Sequence, residues 1–371
     1  MNNLHGILFA YRSNPDLREL TTTRTISSIP FGGRYRVIDF MLSNLVNAGV
    51  TDVGVIMHQS YQSLLDHLGS GKDWDLSRKH GGLKLLPPFA FAQRPHQGAF
   101  RGKMEALDGV YTYLKQIRQE YVILADGDLA VNLPVRDIMR FHLDSGADIT
   151  AVCTSRPGGE PRQSTYLTAG ADGRVTDVAC APNAPVGCES LNVYILSKEL
   201  LLTLVEHCAA HNIYSFSSGV LLGMKDTLTI RPYLFDGYAA RIQSVPAYFA
   251  RSMELLEPSV REALFVPDRP IRTKDRSDPS TYYGPNARSV HSLVADGCII
   301  EGHVENAILF RGVRVGKGAV VKNCVLMQSA VIGDGAEISY VIADKNVRIS
   351  PHRTLVGHQS YPLAIAKLSV V

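Results

Sequence analysis

A six-residue rhythm near the C-terminus restricts the possible folds of this chain more than any other feature. Leu309, Val315 and Val321 are evenly spaced, as are Leu326, Ile332 and Ile338, and then Val341 and Val347. The segment Val315-Gly316-Lys317-Gly318-Ala319 recurs as Ile332-Gly333-Asp334-Gly335-Ala336, close to the roughly 18 residues that one three-sided coil takes up. One inward apolar residue per side and a glycine at each corner is the arrangement such a coil needs. The rhythm therefore predicts a left-handed parallel β-helix over 286–371. Upstream, 257–285 collects Pro258, Pro267, Pro270 and Pro279 amid mixed charge without periodicity, and reads as a linker.

The remaining stretch, 1–256, carries α/β signals. Gly6 to Ala10 is a short apolar run of the kind that forms a buried first strand, and Ile38, Met41, Leu42 and Leu45 recur at helical spacing between Arg36 and Ala48, with Gly49 as the stop. A second strand is expected at Asp52 to Met57, with its helix at Tyr61 to Leu68. Further strands are expected at Tyr121 to Ala125 and at Ala147 to Ser155, and a pair over Leu167 to Cys180 turning at Asp172-Gly173. The loop after the first strand, Tyr11-Arg12-Ser13-Asn14-Pro15-Asp16, has no glycine. A loop whose backbone amides close around phosphates needs residues without a Cβ. Asp126-Gly127-Asp128 puts carboxylates at the end of a parallel strand, where such folds place ligand and metal groups.

With 38 Lys and Arg against 35 Asp and Glu, a net charge of +3 and no sustained basic run, nothing argues for nucleic acid or membrane partners. The first residues lack the basic and apolar regions of a secretion signal, so a soluble, cytoplasmic protein is expected. Six cysteines without a CxxC pair suit reduced thiols rather than a zinc site.

The stretch Arg24 to Phe40, with Pro30-Phe31-Gly32-Gly33-Arg34-Tyr35-Arg36 at its centre and Leu42-Ser43-Asn44 beyond it, closely resembles the corresponding segment of bacterial glucose-1-phosphate adenylyltransferases. That resemblance implies a Rossmann-like nucleotidyltransferase domain followed by the β-helix. The family's G-G-x-G-T-R loop would fall on Tyr11, Arg12, Asn14 and Asp16, and its following lysine on Ile26. The glycine-led helix start Gly102-Lys103-Met104-Glu105-Ala106 departs at Lys103 and Glu105. Of the family's two Mg²⁺ aspartates, one matches Asp128 and the other falls on Arg241. The lysine that meets the sugar phosphate falls in Cys180-Ala181-Pro182, while the family's pocket serine is kept as Ser190. In the loop His67 to Pro88, which borders the nucleotide in the family, the residue reading is that Trp74 and Pro87-Pro88 hold the chain by packing.

Nucleotidyl transfer depends on cations offsetting phosphate charge, so these losses predict a pocket that keeps its walls without its phosphate-handling groups. Asp128 and Ser190 remain as remnants of the sugar-phosphate pocket, with no tightly bound cofactor and Mg²⁺ at most at a vestigial site. The chain is similar to the noncatalytic, GlgD-type regulatory subunits of the family. That implies a catalytic adenylyltransferase subunit as partner in a hetero-tetramer, and an effector site for a phosphorylated metabolite to which Arg24, Arg36 and Arg314 correspond. Two alternatives stay open. One is a diverged but active sugar-phosphate nucleotidyltransferase; the other is a hexapeptide-repeat acyltransferase with His291, His303 or His352 as base.

Overall fold

The computed structural model of the chain describes residues 3–87, 100–156, 158 and 161–371. The first strand, Leu4–Phe9, is buried at every position, which is why its sequence is an apolar run rather than an alternating one. It lies parallel between Asp52–Ile56 and Tyr121–Asp126, and Gly82–Leu86 extends the sheet beyond Asp52–Ile56. On the other side Cys188–Ser197 runs antiparallel to Tyr121–Asp126 and carries the sheet on to Ile149–Thr154, Thr165–Ala169 and Val175–Cys180. Two apolar clusters cover its two faces, one holding Ile7, Phe9 and Leu124, the other Leu8, Leu45 and Ile123. The sheet, flanked by helices, is the α/β layer that the sequence predicts for this part of the chain. Among the described residues no helix is long and apolar enough to cross a membrane.

From Tyr282 onward the chain winds as a parallel β-helix. Val304, Val321, Ile338 and Leu355 stack in register, and so do Arg314, Val331 and Arg348 on another side. Ile300, Val315, Ile332 and Ile349 fill its interior. Its corners depart from the expectation of glycine. Gly318 and Gly335 are followed in their ladder by His352, Gly312 by Ser329 and Asn346, and a third ladder is Asn306, Asn323 and Tyr340, all at positive φ. Asparagine tolerates the left-handed region better than most side chains, so the turn survives without glycine.

The two halves share a core. Phe31, Phe40, Tyr248 and Leu255 pack with Ile308, Val325 and Ile342 of the β-helix. The stretch read as a linker differs from that reading at its start: Pro258–Leu264 is a helix with Pro258 in its first turn, and Leu264 is buried in the shared core. Proline at a helix start sacrifices no intrahelical hydrogen bond, so proline content misreads this segment. Beyond this helix the chain has no regular structure until Tyr282. It is strapped to the first domain by Asn132 donating to the Leu264 and Arg269 carbonyls and by Asn47 donating to that of Pro270.

Trp74 is wholly buried, edge-on to His67 with ring centroids 5.5 Å apart, as the packing reading of its loop requires. Pro88, part of that same reading, lies outside the described residues.

Candidate functional site

Two clefts carry the charged side chains of interest. The first lies at the C-terminal ends of the parallel strands, a cavity of about 310 Å³ lined by Tyr11, Arg12, Lys103, Gln163, Asn192 and Ser217 among others. Phe9 and Asp126 are register partners at the ends of neighbouring strands, so the loop after the first strand passes directly over the carboxylates. One guanidinium nitrogen of Arg12 stands 3.1 Å from Asp126 Oδ2 and 3.3 Å from Asp128 Oδ2. The Lys103 ammonium reaches the other Asp126 oxygen at 3.0 Å and lies 5.5 and 5.3 Å from the centroids of the Phe9 and Tyr194 rings.

Local structure explains why these groups meet. Lys103 is the first residue of a short helix, Lys103–Asp108, which begins against the Tyr214 carbonyl. Gly102 makes that approach possible, because a Cβ there would fall 2.1 Å from that oxygen. Leu129–Val131 pairs with Ala239–Arg241, which fixes the buried Arg241 opposite Leu129; its guanidinium donates to the Ser190 carbonyl at 3.1 Å. Burial alone would raise the Asp126 carboxyl, but Lys103, Arg12 and Arg241 together hold it below the ordinary carboxylate range. Burial pulls the Lys103 ammonium down, against the attraction of Asp126.

The expectation of a pocket stripped of cations is therefore corrected. Positive groups are present, but from different sequence positions, and they are spent on the protein's own carboxylates. Asp128 is where the sequence reading put it, at the strand end, and is tied to Arg12. Ser190 is wholly buried, with its hydroxyl shared between Tyr194 and the backbone of Asn192, and it does not line the cavity. Asn192 does, because a register irregularity between Ser190 and Val193 turns it outward at φ 58°. Asp16, at the place of the family's loop arginine, is exposed and accepts from Gln163; Ile26, at the place of its lysine, is core. Among the described residues no group of three or more His, Cys, Asp or Glu side chains is placed to hold a metal.

The second cleft, about 200 Å³, opens where the two halves meet and is lined by Arg34, Arg36, Lys274, Arg276, Arg311 and Lys345, with Asp66 as the only carboxylate among the described residues. Arg36 donates to the Ser63 carbonyl and, at 3.0 Å, to the Ser63 hydroxyl. Arg24 is buried behind it and pairs with Asp344 of the β-helix, a contact that ties the halves together. Arg311 is nearly buried, and its Nη2 has no hydrogen-bond partner among the described residues. Burial, together with the neighbouring Arg36 and Arg24, pulls Lys345 down to about 7, and burial pulls Arg36 down to about 10.

Of the three arginines expected at an effector site, the structure brings Arg24 and Arg36 together but not Arg314. That residue lies on an outer face of the β-helix, in a groove with Arg348 and Asp334. Arg311 and Lys345 line the cleft with Arg36 instead, and sequence reasoning missed both because each is an ordinary surface-type residue until the coil turns it toward the first domain. The histidines considered as acyl-transfer bases have local roles: His291 bonds Asn306 at 2.6 Å and His303 meets Glu305 at 3.4 Å, while His352 occupies a corner.

Residues 15–231 match the nucleotidyl transferase family, and 281–361 match the GlmU-like C-terminal hexapeptide family. The chain is 36% identical over 367 residues to the glycogen biosynthesis protein GlgD of Bacillus subtilis, covering 99% of this chain and 96% of the relative. It is 37% identical to the GlgD of Geobacillus stearothermophilus, over 86% of this chain and 83% of that one. A glucose-1-phosphate adenylyltransferase of Thermotoga neapolitana is 31% identical over 87% of this chain and 77% of its own length.

Proposed function

Because the chain belongs to the family that unites GlgD glycogen biosynthesis proteins with glucose-1-phosphate adenylyltransferases, we propose that it is a regulatory, catalytically degenerate subunit of the adenylyltransferase, acting in the cytoplasm on ADP-glucose formation by a catalytic partner. One observation carries this reading: the loop cation Arg12 and the helix cation Lys103 are both committed to Asp126, and Arg12 to Asp128 as well. Transfer of a nucleotidyl group is catalysed chiefly by fixed positive charge aimed at the phosphates. A cation already neutralised by buried carboxylates supplies little of it. Loss of a single such group costs on the order of 10²–10³ in rate. Here the glycines, the loop arginine, the two lysines and one carboxylate are replaced together.

The cleft between the halves supports the regulatory part. Arg36, Arg311 and Lys345 suit a phosphorylated metabolite, and they come from both halves, so a bound anion would bias how the halves sit. A folded subunit without turnover can still act on a neighbour when the neighbour's contacts differ between two quaternary states.

The test is to mix the purified chain with a catalytic adenylyltransferase subunit and follow rate, effector response and mass. The expected result is a hetero-oligomer, of tetramer size, whose rate or effector saturation differs from that of the catalytic subunit alone. Unchanged kinetics together with no mixed species would refute it.

A further inference from the structure

We infer that Arg12 and Lys103 stand in for a divalent metal in the first cleft, so that Asp126 and Asp128 are closed to Mg²⁺ and Mn²⁺ and any ligand of that cleft is held without one. The inference deepens the noncatalytic reading of this cleft, on which it rests for the identification of Asp128 as a metal-ligand counterpart, Asp126 being the carboxylate beside it. A metal ion between two carboxylates bridges them and neutralises both. The Arg12 guanidinium bridges them at 3.1 and 3.3 Å, and the Lys103 ammonium, on the other Asp126 oxygen at 3.0 Å, supplies the second positive charge.

Arg241, on the neighbouring ladder, adds a third positive charge that acts on Asp126. Three cations against two carboxylates leave a surplus, and a divalent ion would enlarge it. Two carboxylate oxygens, Asp126 Oδ1 and Asp128 Oδ1, are buried without a hydrogen-bond partner among the described residues, and the first of them faces the Lys103 ammonium at 3.0 Å. Only Asp128 Oδ1 has no cation against it, and one such oxygen beside three cations does not meet the near-octahedral oxygen set that Mg²⁺ demands. The donor set present therefore fits the protein's own cations and not the family's metal.

The experiment is a Mn²⁺ titration of the full chain read by the loss of the free-ion paramagnetic resonance signal. Wild type is expected to show no saturable binding. The variant carrying both Arg12→Gly and Lys103→Ala is expected to gain one saturable site, and adding Asp128→Asn is expected to abolish it. Saturable binding by wild type that Asp128→Asn removes would overturn the inference, as would a folded double variant that gains no site. Should the double variant fail to fold by circular dichroism, Arg12→Gln alone is expected to gain a weaker site sensitive to Asp128→Asn, and its absence would equally overturn the inference. No partner subunit enters this measurement, so its failure is distinct from a failure to regulate.

Discussion

The two clefts hold the same kinds of side chain in opposite states. At the strand ends, Arg12 and Lys103 meet buried carboxylates at 3.0 to 3.3 Å. Where the halves join, six cations line a space with one carboxylate among the described residues; Arg311 meets Asp278 only at 3.8 Å through Nε and keeps its buried Nη2 without a hydrogen-bond partner among the described residues. Counting arginines and lysines would mark both clefts as cationic, with three in the lining of the first and six in that of the second. Pairing separates them: the cations of the first cleft are held at short range by buried carboxylates, and those of the second are only loosely paired, which is what the proposed anion site needs.

The largest effect that would break this contrast is on stability. Asp126→Asn removes the charge that two cations share; Arg12 is partly exposed and keeps Asp128, but the buried Lys103 is left uncompensated, which costs roughly 3–5 kcal/mol, to be read from urea unfolding. A neutral outcome would mean that the first cleft is not held by its ion pairs. Arg24→Met, which strands the wholly buried Asp344, should cost about 3 kcal/mol and loosen the β-helix from the first domain. In contrast, Lys345→Met should leave stability at neutral pH unchanged or raised.

Binding sharpens the comparison next. Sulfate, taken as a probe that stays dianionic throughout the pH range, should stabilise the protein against heat through the second cleft. A hydrogen bond to a charged group is worth about 1.5–3 kcal/mol, so Arg311→Gln should weaken sulfate binding by roughly 10- to 100-fold. Arg314→Gln, on the far face of the β-helix, should leave it unchanged. Equal losses would place the anion elsewhere.

The smallest effect is the pH dependence. Lys345 is held at about 7 in the folded chain by burial and by Arg36 and Arg24, with Lys367 acting the same way and Asp344 opposing, and its ordinary value is 10.5. Between those values the unfolded chain binds more protons, so this residue's contribution makes stability rise with pH across that window. Below about pH 7 the folded state carries the full penalty. Lys345→Met should therefore stabilise the unliganded protein most at pH 6, with the gain fading toward pH 10. Sulfate affinity of the wild type should fall as pH climbs through 7 to 8, and Lys345→Met should flatten that slope.

Most of the architecture was legible in the sequence because it is written in local periods. Val315, Val321 and Ile332 announce coils, and Ile38, Met41, Leu42 and Leu45 announce the first helix. Three things were not. Pro258 starts a helix that its company of prolines concealed. The corner ladders use Asn306, Asn323 and Tyr340 in a conformation that sequence reserves for glycine. The site was half legible: the missing loop glycines and the arginine at 241 were visible, whereas the pairing of Arg12 with carboxylates 114 and 116 residues away exists only once neighbouring strands align. Lys103 drew notice as a departure from a motif, but nothing local says where its ammonium goes. Arg311 and Lys345 gave no signal, since their role is made by the contact between two halves.

The most direct test is an assay of the isolated chain, free of any catalytic subunit, for ADP-glucose formation from ATP and glucose 1-phosphate with Mg²⁺ present. With its cations tied to Asp126 and Asp128, the chain should give no turnover above background. Turnover within the ordinary enzymatic range of about 1–10³ s⁻¹ would contradict the account.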